Sequence, residues 1–198
     1  LYFLDFETMR SGVPLFDRTR PYQQIPFQYS LHVQDADQIK HFEFLAETDG
    51  TDPRISFIKQ LILDCGSEGD ILVYNISFEQ NIIEELIQAF PGYQIPLEGI
   101  IRRLKDLMEP FQKGWYYTPE MKGSYTIKQV LPALIPKLSY KQLNINEGGT
   151  ASSTFAAMAN GTFEGDYEQT RKDLLEYCKM DTYAMVEILR VLRNRVNS

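Results

Sequence analysis

The stretch from about Tyr167 to Arg195 carries the longest uninterrupted helical pattern in the chain, and its apolar face contains an acid. Leu174, Cys178, Met185, Ile188 and Leu192 recur at the 3.6-residue period and form one stripe. Asp181 falls near the middle of that stripe, seven residues from both Leu174 and Ile188, and Tyr177 lies one turn before it on nearly the same face. A carboxylate that faces a core must be hydrogen-bonded, ion-paired or metal-bound. The nearby basic residues Arg171, Lys172, Lys179 and Arg190 sit off the stripe, which favours a metal over a buried salt bridge.

The other end of the chain offers matching chemistry. Leu1–Glu7 reads as a short buried strand that ends in two acids. Residues two apart in a strand face the same side, so Asp5 and Glu7 sit together with Phe3, while Phe6 points the other way. Hard oxygen ligands at the carboxyl end of a strand suit Mg²⁺ or Mn²⁺. A solvated strand end with two free acids is the plainer alternative. The chain begins with Leu, already inside this strand, and the expectation is a domain excised from the C-terminal part of a longer protein.

Between these ends the pattern is that of an α/β protein. Phe27–Gln34 and His41–Ala46 read as a hairpin across Asp35-Ala36-Asp37. Thr51 or Asp52 can cap a helix that starts at Pro53 and stops at Gly66 and Gly69. Ile71–Tyr74 is a further buried strand, followed by a helix from Ser77 to about Ala89. From 90 to 165 six prolines break the pattern, leaving helical pieces near Ile100–Met108 and Ile127–Leu134. The reading is a single domain over 1–198 with an irregular insertion at about 90–165, built on a mixed sheet with a central first strand.

Hydrophobic residues at 43% and charged residues at 24% are ordinary for a globular protein. No apolar run reaches the roughly 20 residues that a membrane helix needs. Cys65 and Cys178, far apart in sequence, form neither a disulfide framework nor a zinc pattern, so a reducing cytoplasm is the expected compartment. The net charge of −7 argues against a generic nucleic-acid binder, but its distribution reverses that. Residues 101–141 hold eight basic and three acidic side chains, a net +5, which leaves −12 for the remainder. Phe111, Trp115, Tyr116, Tyr117, Tyr125 and Tyr140 are interleaved with those cations. Cations and aromatics together suit a single-stranded nucleic acid, through phosphates and base faces; a solvated basic face with aromatics turned inward fits the same residues.

Glu79 opens the helix after Tyr74-Asn75-Ile76-Ser77-Phe78, where the helix dipole alone would favour an acid. The set Asp5-x-Glu7, Asn75-x-x-Phe78-Glu79 and Tyr177-x-x-x-Asp181 resembles the three motifs of the DEDD superfamily of 3′→5′ exonucleases. The Tyr-x-x-x-Asp ending is similar to its tyrosine branch, since Glu176 stands where the other branch has histidine. Residues 26–32, 74–79 and 123–128 also look like an uncharacterised bacterial domain family within it, whose members often end larger proteins. The resemblance implies a ribonuclease-H-like fold and two-metal hydrolysis of a single-stranded 3′ end. Asp5, Glu7 and Asp181 would then ligate two Mg²⁺ or Mn²⁺ ions directly, Glu79 would hold one through water, and Tyr177 would aim the attacking water. Asn75, Phe78, Lys128, Arg102 and Arg103 would contact substrate. The middle motif of the superfamily ends in Asp, and Glu79 departs from it; Asp106 is the reserve candidate for that role. Two rival readings are a degenerate nuclease fold that only binds nucleic acid or protein, and an endonuclease or resolvase.

Overall fold

A computed structural model describes residues 1–36 and 38–196. Its centre is β1 (Tyr2–Met9), an eight-residue strand whose only charged residues are the acids Asp5 and Glu7. β1 runs antiparallel to β2 (Ile25–Asp35), which pairs antiparallel with β3 (Gln38–Leu45). On its other side β1 runs parallel to β4 (Ile71–Val73), and β4 parallel to β5 (Leu104–Asp106). The order is β3-β2-β1-β4-β5, so the first strand is central, as the sequence reading expected. The hairpin closes Asp35 onto Gln38 through Ala36, whose φ of 50° is left-handed; Asp37 of the expected turn lies outside the described residues.

Alternation along β1 divides the core. Leu4 and Phe6 face a cluster with α1 (Arg54–Cys65), α2 (Ile76–Ala89) and α3 (Gln94–Arg103). Phe3 faces the opposite cluster, made with α5 (Ile127–Leu134), α6 (Gly148–Ala159) and α7 (Tyr167–Val196). A four-residue helix, α4 (Glu109–Gln112), joins the two parts and buries Phe111. Asp5 and Glu7 therefore emerge on the α7 side. Among the described residues no helix is long and apolar enough to cross a membrane.

Three elements differ from the sequence reading. The helix expected near Ile100–Met108 starts earlier and ends at Arg103, and the next three residues form β5. Leu104 wins that competition: it is buried and pairs with Ile71 at the sheet edge, and its extended backbone stops the helix. α6 lies where only loose chain was expected. Ala151, Phe155 and Met158 form its buried face, and Phe155 stacks on Phe27 of β2 with ring centroids 4.0 Å apart. Its two leading glycines, poor helix formers, hid it.

Candidate metal centre

Three devices dock α7 onto β1 and β2. Gln28, fully buried, donates from Nε2 to the Leu174 carbonyl at 2.8 Å. Thr182 Oγ1 lies 2.7 Å from Ser30 Oγ and 2.8 Å from His32 Nδ1. The Cys178 thiol faces the backbone oxygen and Oδ2 of Asp5, 3.7 Å from each. Asp181 follows Cys178 by three residues, one helical turn, and is thereby held over the end of β1. A bulge between Glu7 and Thr8, opposite Pro26 and Phe27, re-aims β1 at this point; Pro26 has no N–H to continue the ladder, and bulges bend strands beside functional sites.

The result is a carboxylate cluster. One oxygen from each of Asp5, Glu7 and Asp181 lies within 4.8 Å of the others. Glu7 and Asp181 are 8% and 6% exposed, and Asp5 is half-buried. Glu79 is 1% exposed, outside that trio, and its Oε2 has no hydrogen-bond partner. An ionised carboxylate buried without a partner is costly, so this group calls for a cation, a water or a proton.

Electrostatics report the same convergence. Burial, then the charges of Asp181, Glu7 and Glu79, hold Asp5 well above the usual carboxylate range. Burial and Asp181 push Glu7 from 4.5 up to about 8, against a lowering pull from Lys128. Glu79 is raised strongly by burial, and Asp106 and Glu7 add to it. Asp181 is raised by burial only to about 6, because the Tyr140 hydroxyl, the Lys128 charge and the Tyr177 hydroxyl favour its ionised form.

The structure brings Tyr177 and Lys128 to this cluster. Tyr177 is 3% exposed, and a Cβ on Gly148 would stand 3.7 Å from its hydroxyl and 3.7 Å from Glu7 Oε2. The first turn of α6 thus lies directly over both. Lys128 Nζ is 5.1 Å above the Tyr177 ring and donates to the Asn146 carbonyl at 2.7 Å. Phe78 lines a cavity of about 450 Å³ together with Glu7, Arg10, Gln24, Gly148 and Ser152. A second cavity, of about 570 Å³, takes in Lys122, Lys128, Lys141 and Tyr140. Arg10 was not a candidate in sequence, and Tyr140 was one only as an aromatic of the basic segment; no spacing rule ties either to the acids.

Other candidates are not brought there. Arg103 donates to the carbonyls of Cys65, Gly66, Glu68 and Gly69 and stacks on Tyr2, so it closes the α1–β4 turn. Arg102 is exposed on α3, with Glu98 at 3.8 Å. Asn75, exposed and left-handed at φ 86°, precedes α2 without a side-chain cap. Asp106 lies near enough to raise Glu79, and it accepts from the backbone N–H groups of Asn75, Ile76 and Met108, which fixes the start of α2. Of the aromatics in the basic segment, Phe111 and Tyr140 are buried, while Trp115, Tyr117 and Tyr125 are exposed.

Residues 2–126 match the family described as "Domain of unknown function (DUF2779)", and the chain belongs to that family. The matched region contains Asp5, Glu7 and Glu79 and stops before Lys128, Tyr140, Tyr177 and Asp181. The chain is 29% identical over 206 residues to "Uncharacterized protein MG366 homolog" of Mycoplasma pneumoniae, covering 94% of this chain and 31% of that protein. It is 28% identical over 209 residues to "Uncharacterized protein UU173" of Ureaplasma parvum serovar 3, covering 94% and 30% respectively. The chain thus spans about a third of the length of these relatives.

Proposed function

We propose that the domain is a 3′→5′ exonuclease acting on single-stranded nucleic acid with two divalent ions, Mg²⁺ or Mn²⁺, in a ribonuclease-H-like scaffold. The observation that carries this reading is the trio of Asp5, Glu7 and Asp181 oxygens within 4.8 Å of one another. They come from the two ends of the chain and are mostly buried. The donor set fits such ions, being all hard oxygen, and the orphaned, buried Glu79 Oε2 outside the trio fits a partner held through water.

When bound, two such ions would supply water activation and charge neutralisation at the phosphate. Asp5, Glu7 and Asp181 would hold them. Tyr177 cannot serve as a base near neutral pH, because burial and the surrounding acids push its phenol far above its ordinary value of 10.0. Its hydroxyl instead orients the attacking water as a hydrogen-bond partner. Lys128 supplies a cation beside Glu7 and Asp181 for the phosphate. Phe78 offers a ring face to the terminal base in the cavity it shares with Glu7. We assign the protein to the cytoplasm, where its two buried, unpaired thiols would stay reduced.

A second reading is favoured by one observation. Glu79 stands where the superfamily has Asp, as it would in a nuclease fold that has kept binding and lost hydrolysis. The two are separated by digesting 5′-labelled linear and internally labelled circular single-stranded DNA and RNA, with Mn²⁺ or with EDTA. The exonuclease predicts a ladder from the 3′ end of linear strands with Mn²⁺ only. Uncut linear strands support the binding module, and cut circles an endonuclease.

A further inference from the structure

Asp181 is held by a tyrosine from outside its own helix. Ser139 caps a short 3-10 turn by accepting from the Lys141 N–H at 3.2 Å, which sets Tyr140 facing inward. Tyr140 is 6% exposed, and its hydroxyl donates to Asp181 Oδ1 at 2.7 Å. The Lys128 ammonium lies 5.5 Å from the Tyr140 ring centroid and 5.1 Å from that of Tyr177, while the two rings are 6.3 Å apart. One lysine therefore sits over both phenols. A neutral phenol beside a carboxylate can only donate to it, and the 2.7 Å contact is that donation.

We propose that Tyr140 is a positioning residue for metal binding: by occupying Oδ1 of Asp181 it fixes the carboxylate plane and leaves Oδ2 to a divalent ion. This rests on the reading of Asp5, Glu7 and Asp181 as metal ligands. The hydroxyl touches neither water nor substrate in this role and acts through Asp181 alone. The division of labour between the two tyrosines follows. Tyr177, whose hydroxyl also favours ionised Asp181, serves turnover as well, whereas Tyr140 serves affinity for the ion alone. Ligand-orienting partners of this type are commonly worth about 10–100-fold in metal affinity. The buried ring is also core, so truncation would confuse packing with positioning. Phe retains the ring, its contacts and the Lys128 stacking, and removes only the donor.

The test is calorimetric titration of Mn²⁺ into wild type, Tyr140→Phe and Tyr177→Phe, with hydrolysis measured across Mn²⁺ concentration. Tyr140→Phe is expected to weaken Mn²⁺ binding about 10–100-fold, and excess Mn²⁺ should restore its turnover. Tyr177→Phe should stay slow at every concentration, saturating Mn²⁺ included. Unchanged Mn²⁺ affinity in Tyr140→Phe, with wild type binding normally, would overturn the proposal and leave the metal site standing. If wild type binds no Mn²⁺, the ligand reading fails first and this role fails with it.

Discussion

The Cys178 thiol lies 3.7 Å from Asp5 Oδ2, at the point where the last helix crosses the first strand. This contact sets the height at which Asp181, one turn further on, meets the strand-borne acids. Its geometry makes a sharp demand on residue size. Cys178→Leu would drive a branched side chain between α7 and Asp5, and overpacking of this kind typically costs about 1–3 kcal/mol. Cys178→Ala should cost less in stability and leave Mn²⁺ binding within a few-fold of wild type. Chemical denaturation and Mn²⁺ titration of both variants check this; equal effects would mean that the crossing is not tightly fixed.

The acids of the cluster should make metal-free stability fall with rising pH. Glu7 titrates at about 8 in the folded state and Asp181 at about 6, both above their ordinary values of 4.5 and 3.8. A raised folded pKa means that the folded form holds the proton more tightly. The associated stability is full below about pH 4 and is lost as pH rises through 6 and 8. Asp181→Asn removes one repelling charge and should raise the metal-free melting temperature at pH 8, by roughly 2–4 °C for each kcal/mol relieved. Melts in EDTA from pH 5 to 9 would show it; a flat wild-type profile would contradict it.

A histidine pair, His32 buried and His41 half-buried, works in the opposite sense. His32 and His41, with rings 4.5 Å apart, are each lowered from 6.5 to about 4, first by burial, with Lys179 adding to both and His41 to His32. A lowered folded pKa gives stability that is present above about pH 6.5 and lost as pH falls through 4. The two trends oppose each other between about pH 4 and 6.5. Replacing both histidines with Gln should unmask the carboxylates, so that the metal-free melting temperature rises on acidification more steeply than in wild type.

Much of this site was legible in sequence because each acid obeys a local rule. Asp5 and Glu7 are related by strand alternation, and Asp181 interrupts an apolar stripe at helical spacing. Neither rule needs the fold. Tyr140 escaped because its tie to Asp181 spans 41 residues and depends on how a 3-10 turn meets a helix. Arg103 misled for the same reason: a cation in a basic segment looks like a phosphate contact until the α1–β4 turn offers it four carbonyls. β5 was missed because three residues are too few to show a period.

Gly148 gives a steric test of the cleft. Its Cβ position is in ordinary contact range of Glu7 and Tyr177, and its backbone needs no left-handed φ. Gly148→Ala should therefore fold and gain about 0.4–1 kcal/mol from the unfolded state. Gly148→Leu would extend further into the space between those oxygens. Displacements there should cost on the order of 10²-fold in turnover, with little change in melting temperature. Full activity in the Leu variant would mean that substrate and ions lie elsewhere.

Glu79→Gln should cost less activity than Glu7→Gln. Glu7 belongs to the close trio, whereas Glu79 lies outside it with an unpartnered oxygen. The amide keeps an acceptor for water at Glu79 and removes a charged ligand at Glu7. Relative turnover of the two variants at saturating Mn²⁺ decides it, and the reverse order would make Glu79 a direct ligand.

If Asp5, Glu7, Glu79 and Asp181 form a cation site, ion binding there shows in thermal stability without any knowledge of the substrate. Wild type is melted at pH 8 in EDTA and then across a range of Mn²⁺ concentrations. Ligand binding to the folded state alone raises stability with concentration, by about 2.7 kcal/mol at one hundred times the dissociation constant. The melting temperature should climb with Mn²⁺ in wild type and barely move in Asp181→Asn. A wild-type melting temperature indifferent to Mn²⁺ would contradict the metal site and, with it, the nuclease.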